Sequence, residues 1–249
     1  MGSNTISYAE LETLKRALEE QERRKQFGGH LAHWFPDEGP LRYEKYAKHL
    51  EFFRQGASNT ERLFMAANRV GKSLGGAYEA TCHLTGLYPH WWEGRRFDHP
   101  TEGWAAGDTG QTTRDILQDV MLGFPTGVMG TGMIPGDLIT QVRRRSGIAD
   151  AIDTVKVRHA SGGESILGFK SYDQGRRSFQ GTSKDFIWLD EECPQPVYGE
   201  CIIRVMGTDP DNPNNGIIYV TFTPLSGQTK FIQDFLASAT MQSLNAEER

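Results

Sequence analysis

ERLFMAANRVGKS, residues 61–73, is a short apolar run closed by a loop, and the helical pattern LGGAYEATCHLTG comes directly after it over 74–86. A run of that length reads as a buried strand over Glu61–Ala67. The segment is therefore strand, loop, helix. Within it, AANRVGKS (66–73) fits G-x-x-x-x-G-K-[ST] at every defined position except the first, where Ala66 stands for Gly. In such a loop successive backbone N–H groups and the N-terminus of the following helix form an anion nest, which assigns Ala67, Asn68, Arg69, Val70, Gly71, Lys72 and Ser73 to phosphate binding. Gly71 permits close backbone approach, Lys72 reaches the β/γ-phosphates of ATP, and Ser73 ligates Mg2+. A guanidinium inside the loop, Arg69, is placed to touch the γ-phosphate; a surface pair with a nearby acid is the plainer alternative.

Working outward, FIWLDEE (186–192) is four apolar residues ending in carboxylates, the form of a Walker B strand. Asp190 is expected to hold Mg2+ with Ser73, and Glu191 to polarise the attacking water. An Asp-Glu pair points to hydrolysis. Glu192 is given no role, because neighbours on a strand point opposite ways. Further on, VTFTP (220–224) ends a strand with Thr221 and Thr223, which beside Walker B can sense a γ-phosphate; taken alone it is an ordinary strand end.

The remaining pattern supplies more strands and helices. Strands are predicted over Gly103–Ala106, Val155–His159, Ser165–Lys170, Asp185–Leu189 and Gly216–Thr221, helices over Leu41–Gln55 and Gln111–Leu122, and loops through the Gly- and Pro-rich stretch 123–136. The stretch Tyr8–Phe27 reads as a charged surface helix, either a solvated face or a docking arm. Apolar strands alternating with helices imply an α/β P-loop NTPase of the ASCE type, with a central mainly parallel sheet flanked by helices.

Composition narrows the class. The 249 residues carry 27 Lys and Arg against 32 Asp and Glu, a formal charge of -5, so any contact with a polyanion must come from a local patch. The densest basic run is Arg143–Arg145, with Lys156, Arg158 and His159 nearby; it is expected to touch the phosphates of a nucleic acid, to be a solvated basic loop, or to contact another subunit. Cys82, Cys193 and Cys201 match neither a zinc ribbon nor a disulfide framework, which suggests a reducing, intracellular setting. No apolar run approaches the ~18 residues of a membrane span.

AANRVGKS, FIWLDEE and TFTPLSG in that order, with QGRRSFQGTSKD just before the acidic strand, resemble the N-terminal ATPase domain of the tailed-bacteriophage terminase large subunit. The resemblance implies an ATP-driven motor that packages double-stranded DNA into a procapsid through the portal protein. It also implies a small terminase subunit as partner, a homo-oligomeric ring of five that can be monomeric in isolation, and residence in the host cytoplasm with transient docking at the portal vertex. It makes 221–224 a coupling motif and places Trp34, Pro36, Arg42 and Tyr43 near adenine. Several family members carry an arginine before a glycine ahead of the Walker B strand, inserted into the neighbouring site. Here that position is Gln180-Gly181, so Arg176 or Arg177 is the expected substitute, with Arg177 preferred; phosphate-backbone contact or solvation is the alternative. Residues 1–29 are expected to form a helical arm and 30–249 the ATPase domain, with the family's nuclease domain absent from this chain. A helicase-like DNA-remodelling ATPase and a nucleotide-binding interaction module are the competing readings.

Overall fold

A computed structural model describes residues 33–206, 216–224 and 229–237, together with Glu12, Lys15, Leu31 and Gly227. The helix expected over Tyr8–Phe27 lies, apart from Glu12 and Lys15, outside these described residues. The chain enters through a 3-10 turn, Tyr43–Tyr46, that runs into α1, Ala47–Gln55. Strand β1 is Glu61–Met65, and α2 is Lys72–Thr85. Gly86 ends α2 in the left-handed region, at φ 69°, with its N–H on the Cys82 carbonyl. Strand β2 is Glu102–Gly107. Helix α3 continues the chain in three segments: Gly110–Thr112, a π-helical stretch Thr113–Gln118, and Asp119–Leu122.

The second half adds β3 (Ile139–Arg144), β4 (Ile152–Arg158) and β5 (Glu164–Ser171). Two 3-10 turns, Tyr172–Gln174 and Arg176–Phe179, lead to β6 (Phe186–Asp190). Helix α4 (Gln195–Val205) and β7 (Ile217–Phe222) complete the named elements, and residues 230–237 are helical.

Seven strands form one sheet in the order β1-β7-β6-β2-β5-β4-β3. The first five run parallel, and β4 and β3 pair antiparallel at one end. The fold is therefore the expected α/β P-loop architecture with helices on both faces. Strands β6 and β7 are buried at every position, as their unbroken apolar runs require. Alternate side chains serve two cores: Phe186, Trp188, Ile217 and Tyr219 pack under α1, α2 and α3, while Ile187, Leu189, Ile218 and Val220 pack under α4. Cys82, Cys193 and Cys201 are all buried and free. No helix among the described residues is long and apolar enough to cross a membrane.

Charge is buried beneath α2. Arg62 of β1, 5% exposed, donates to both oxygens of Glu79 at 2.6 and 3.1 Å and to the Phe52 carbonyl at 2.7 Å. Its guanidinium also lies over the rings of Phe52 and Tyr219. His83 reaches Glu79 from one turn further along, at 3.2 Å. Burial pushes the Glu79 carboxyl up, but Arg62 and His83 together more than reverse it and hold it below the ordinary carboxylate range. Removing one partner of such a pair strands the other, so Arg62→Met is expected to lower unfolding stability by about 3–5 kcal/mol in urea melts, while R62M/E79L recovers most of the loss. An R62M chain as stable as the parent would show that Glu79 needs no counter-charge.

Candidate active site

The C-terminal ends of β1, β7 and β6 lie side by side, with Phe64 opposite Thr221 and Asp190 opposite Thr221 in register. From β1 the chain crosses to α2 through residues 66–71, tied to β7 by the Ala66 N–H on the Phe222 carbonyl at 3.3 Å. The loop turns at two left-handed residues, Arg69 at φ 63° and Gly71 at φ 84°. Ala66 is not among the positive-φ residues, so the departure from glycine at that position costs no strain. Ala67, Asn68, Arg69 and Val70 are exposed. The first N–H groups of α2, at residues 72–74, have no intrahelical acceptor by the geometry of a helix end, and they carry its positive dipole. Lys72 is buried and curls back over its own loop, its Nζ donating to the Ala67 carbonyl at 2.7 Å.

Asp190 is the focus of a hydroxyl cluster. Ser73 Oγ donates to its two oxygens at 2.8 and 3.1 Å, and Thr221 Oγ1 donates to Oδ1 at 2.6 Å. Trp188 Nε1 donates to Thr221 Oγ1 at 2.8 Å, which commits the threonine proton to the carboxylate. Asp190 is 3% exposed. Burial pushes its pKa up to about 6, against the pull of the Thr221 and Ser73 hydroxyls and the Lys72 charge. Among the described residues no three His, Cys, Asp or Glu side chains gather as a metal cage. One carboxylate and one hydroxyl suit a hard cation such as Mg2+, which keeps waters and takes further oxygens from a phosphate.

Glu191 is exposed, at φ 65°, just past the end of β6. Its N–H bonds the Thr221 carbonyl at 2.8 Å, and Tyr172 donates to the Asp190 carbonyl at 2.9 Å. Thr223 joins the two sides of the site: its Oγ1 donates to Asn68 Oδ1 at 2.7 Å, and its N–H approaches Glu191 Oε2 at 3.5 Å. Ser73, Asp190, Thr221, Thr223, Asn68, Lys72 and Glu191 are thus one cluster. Arg69 is exposed and, among the described residues, forms no ion pair, so the surface pair with an acid is not seen.

Other expected site residues stand apart. Tyr43 stacks on Trp91 at 5.0 Å and meets His90 edge-on. Arg42 pairs with Glu44. On the Arg176–Phe179 turn, Arg176 is held by Glu200 at 2.9 Å, while Arg177 is exposed and bonds none of the phosphate-loop or acidic residues within one chain. Of the basic run, Arg143 and Arg144 are corrected from a loop to the end of β3, where Arg143 pairs with Asp153 and Arg144 with Asp150 at 3.1 Å, and Arg145 follows the strand. Arg145 donates to the Phe169 carbonyl, Lys156 pairs with Glu164, and His159 is buried. Arg158 is exposed, so the acidic partners balance most of that surface but not all of it. Three residues of the site escaped sequence reading: His49, Trp188 and Tyr172. Only the first left a trace, a polar residue on the otherwise aromatic buried face of α1.

The family model for the N-terminal part of the T4-like terminase large subunit matches residues 63–247. The chain belongs to the large terminase subunit family. The terminase large subunit of Salmonella phage P22 is 34% identical over 213 residues, 78% of this chain and 42% of that protein. This terminase chain thus spans less than half of that relative's length. Among solved structures it resembles the large terminase of a thermophilic bacteriophage, at 12% identity and TM-score 0.47, over 72% of this chain and 38% of that one. It also resembles the large terminase ATPase domain of Thermus phage P74-26, at 15% identity and TM-score 0.42, over 77% and 72% of the two chains.

The buried carboxyl makes the stability of this terminase chain depend on pH. Asp190 has a folded pKa above its unfolded value of about 3.9, so its contribution is fully present below that pH and is lost as pH rises through about 6. Asp190→Asn removes the charge, and it is expected to be more stable than the parent by about 1–3 kcal/mol at pH 7.5, with the gap closing near pH 4. Urea melts at the two pH values check this, and a gap independent of pH would show that burial does not raise the Asp190 pKa.

Proposed function

We propose that this chain is the ATPase motor of a phage large terminase, hydrolysing ATP to drive double-stranded DNA through the portal into a procapsid. The observation that carries it is the junction of Ser73, Asp190 and Thr221 at the strand ends, with Glu191 beside it and the phosphate loop above. Family membership supports the packaging role, and the site geometry supports hydrolysis.

In this reading the N–H groups of residues 67–73 and the α2 N-terminus take the phosphates, and Lys72 leaves the Ala67 carbonyl for the β- and γ-oxygens. Ser73 and Asp190 hold Mg2+, which neutralises phosphate charge during transfer. Glu191, exposed and in no ion pair among the described residues, orients and polarises the attacking water. Arg69 contacts the γ-phosphate from within the loop. Thr221 and Thr223 report its presence, since one touches Asp190 and the other bridges Asn68 and Glu191. Arg177 is assigned to a neighbouring subunit's site in a ring of five on the portal, and Tyr43 to the adenine side. An arginine supplied in trans makes turnover depend on ring assembly, so the lone chain is a slow ATPase. Residues 30–249 are assigned to this ATPase unit; the small terminase subunit is a partner, and the setting is the host cytoplasm.

Phosphate release by the parent, Glu191→Gln and Lys72→Ala, each alone and with portal-bearing procapsids plus linear double-stranded DNA, tests the reading. Glu191→Gln is expected to keep nucleotide binding while turnover falls at least about 100-fold. Lys72→Ala is expected to lose binding. Stimulation by DNA alone, indifferent to procapsids, would favour a helicase-like enzyme. Binding without hydrolysis under every condition would leave only a switching module.

A further inference from the structure

The upstream helix reaches the phosphate loop through one side chain. His49 of α1 is 7% exposed and its Nε2 lies 3.1 Å from the Gly71 carbonyl. A carbonyl accepts only, so Nε2 is the protonated nitrogen. Burial lowers the imidazole's pKa, with the Gly71 carbonyl pulling the other way, so the donor is the neutral ring. Gly71 is the left-handed residue that caps α2, and its carbonyl also accepts the Gly75 N–H at 2.9 Å. His49 thus holds the peptide that joins the loop to the helix, immediately before Lys72.

The ring is wedged as well as bonded. Phe35, Tyr46 and Phe64 surround it, the last edge-on at 4.9 Å. On the loop side it fits only because α2 has no side chain at residue 75: a Cβ there would lie 2.9 Å from His49 Cδ2, closer than real Cβ contacts allow. Gly75 costs the helix about 1 kcal/mol of intrinsic propensity relative to alanine, which runs against its use in a helix interior. The notch and the ring therefore belong together.

We propose that His49 is a positioning residue for nucleotide binding: by its bond to the Gly71 carbonyl, seated in the Gly75 notch, it sets the orientation of the loop peptide and of the first α2 N–H groups toward phosphate. This rests on the ATPase reading above. His49 touches no reacting atom, and its effect falls on affinity for the nucleotide rather than on the chemical step.

Equilibrium binding of ATP and ADP to the 249-residue chain, with steady-state KM and kcat and thermal melts, tests this in four variants. His49→Leu keeps apolar volume without a donor, and it is expected to weaken binding about three- to tenfold with kcat little changed. His49→Gln restores an N–H at similar reach and is expected to recover most of that loss. Gly75→Ala fills the notch and is expected to weaken binding to the same degree although it favours the helix. In the double variant H49L/G75A the two effects are expected not to add, because both break one contact. If the parent binds and His49→Leu binds equally well, or if Leu and Gln are equally impaired in step with their melting temperatures, the positioning role is overturned and the ring is core packing. A parent that binds no nucleotide overturns the ATPase reading and this role with it.

Discussion

A carboxylate buried at the meeting point of three elements organises the molecule. Asp190 closes β6, and the hydroxyls that satisfy it come from the first turn of α2 and from β7. Those bonds hold only if the parallel register brings Asp190 level with Thr221 and if α2 starts where Ser73 can reach across. The phosphate loop is the path the chain must take between β1 and that helix start. Glu191 occupies the first position after the backbone leaves β6, and so it stands at the same point. One local constraint thereby ties the sheet order, the loop and the acidic pair together.

The two buried charged centres differ in a way that separates structure from chemistry. Glu79 is closed: Arg62 and His83 occupy it, aromatic faces cover the guanidinium, and its carboxyl is held ionised. Asp190 is open: neutral hydroxyls hold it, the Lys72 ammonium is engaged by a carbonyl instead, and its carboxyl is pushed toward the protonated form. A paired buried charge has its counter-charge within the chain, whereas Asp190 is met by neutral hydroxyls and by no contacting cation among the described residues.

Much of this was legible in the residues. The strand, loop and helix over 61–86, the apolar runs of β6 and β7, and the assignment of Ser73, Asp190 and Glu191 to one place come from pattern, because buried parallel strands and anion nests leave strong local signals; Thr221 alone reads as an ordinary strand end, and only the family resemblance gave it a role. Strand β3 did not announce itself, since an edge strand with mostly exposed side chains lacks alternation, and its arginines read as a free basic loop. Their acidic partners, Asp150 and Asp153, lie across a hairpin that spacing does not reveal. Helix α4 was hidden by Pro194, Pro196 and Gly199 within a short span. Trp188 and Tyr172 look like core aromatics in sequence, and only the fold shows that one donates to Thr221 and the other to the Asp190 carbonyl. Tyr43, placed near adenine by the family resemblance, stacks its ring on Trp91.

Arg69 and Glu191 share an uncommon backbone state, left-handed at φ 63° and 65°, where glycine or asparagine sits more comfortably. Either smaller residue would relax the turn by about 1 kcal/mol, a gain open to the chain by substitution at two positions. A sequence optimised on this backbone for foldability alone would make those replacements first, and it would discard a guanidinium and a carboxylate from the mouth of the site. Thermostabilisation of this chain therefore has a natural boundary at residues 69 and 191, where the most obvious improvements to the scaffold are the ones that would strip the charges from the loop and from the end of β6.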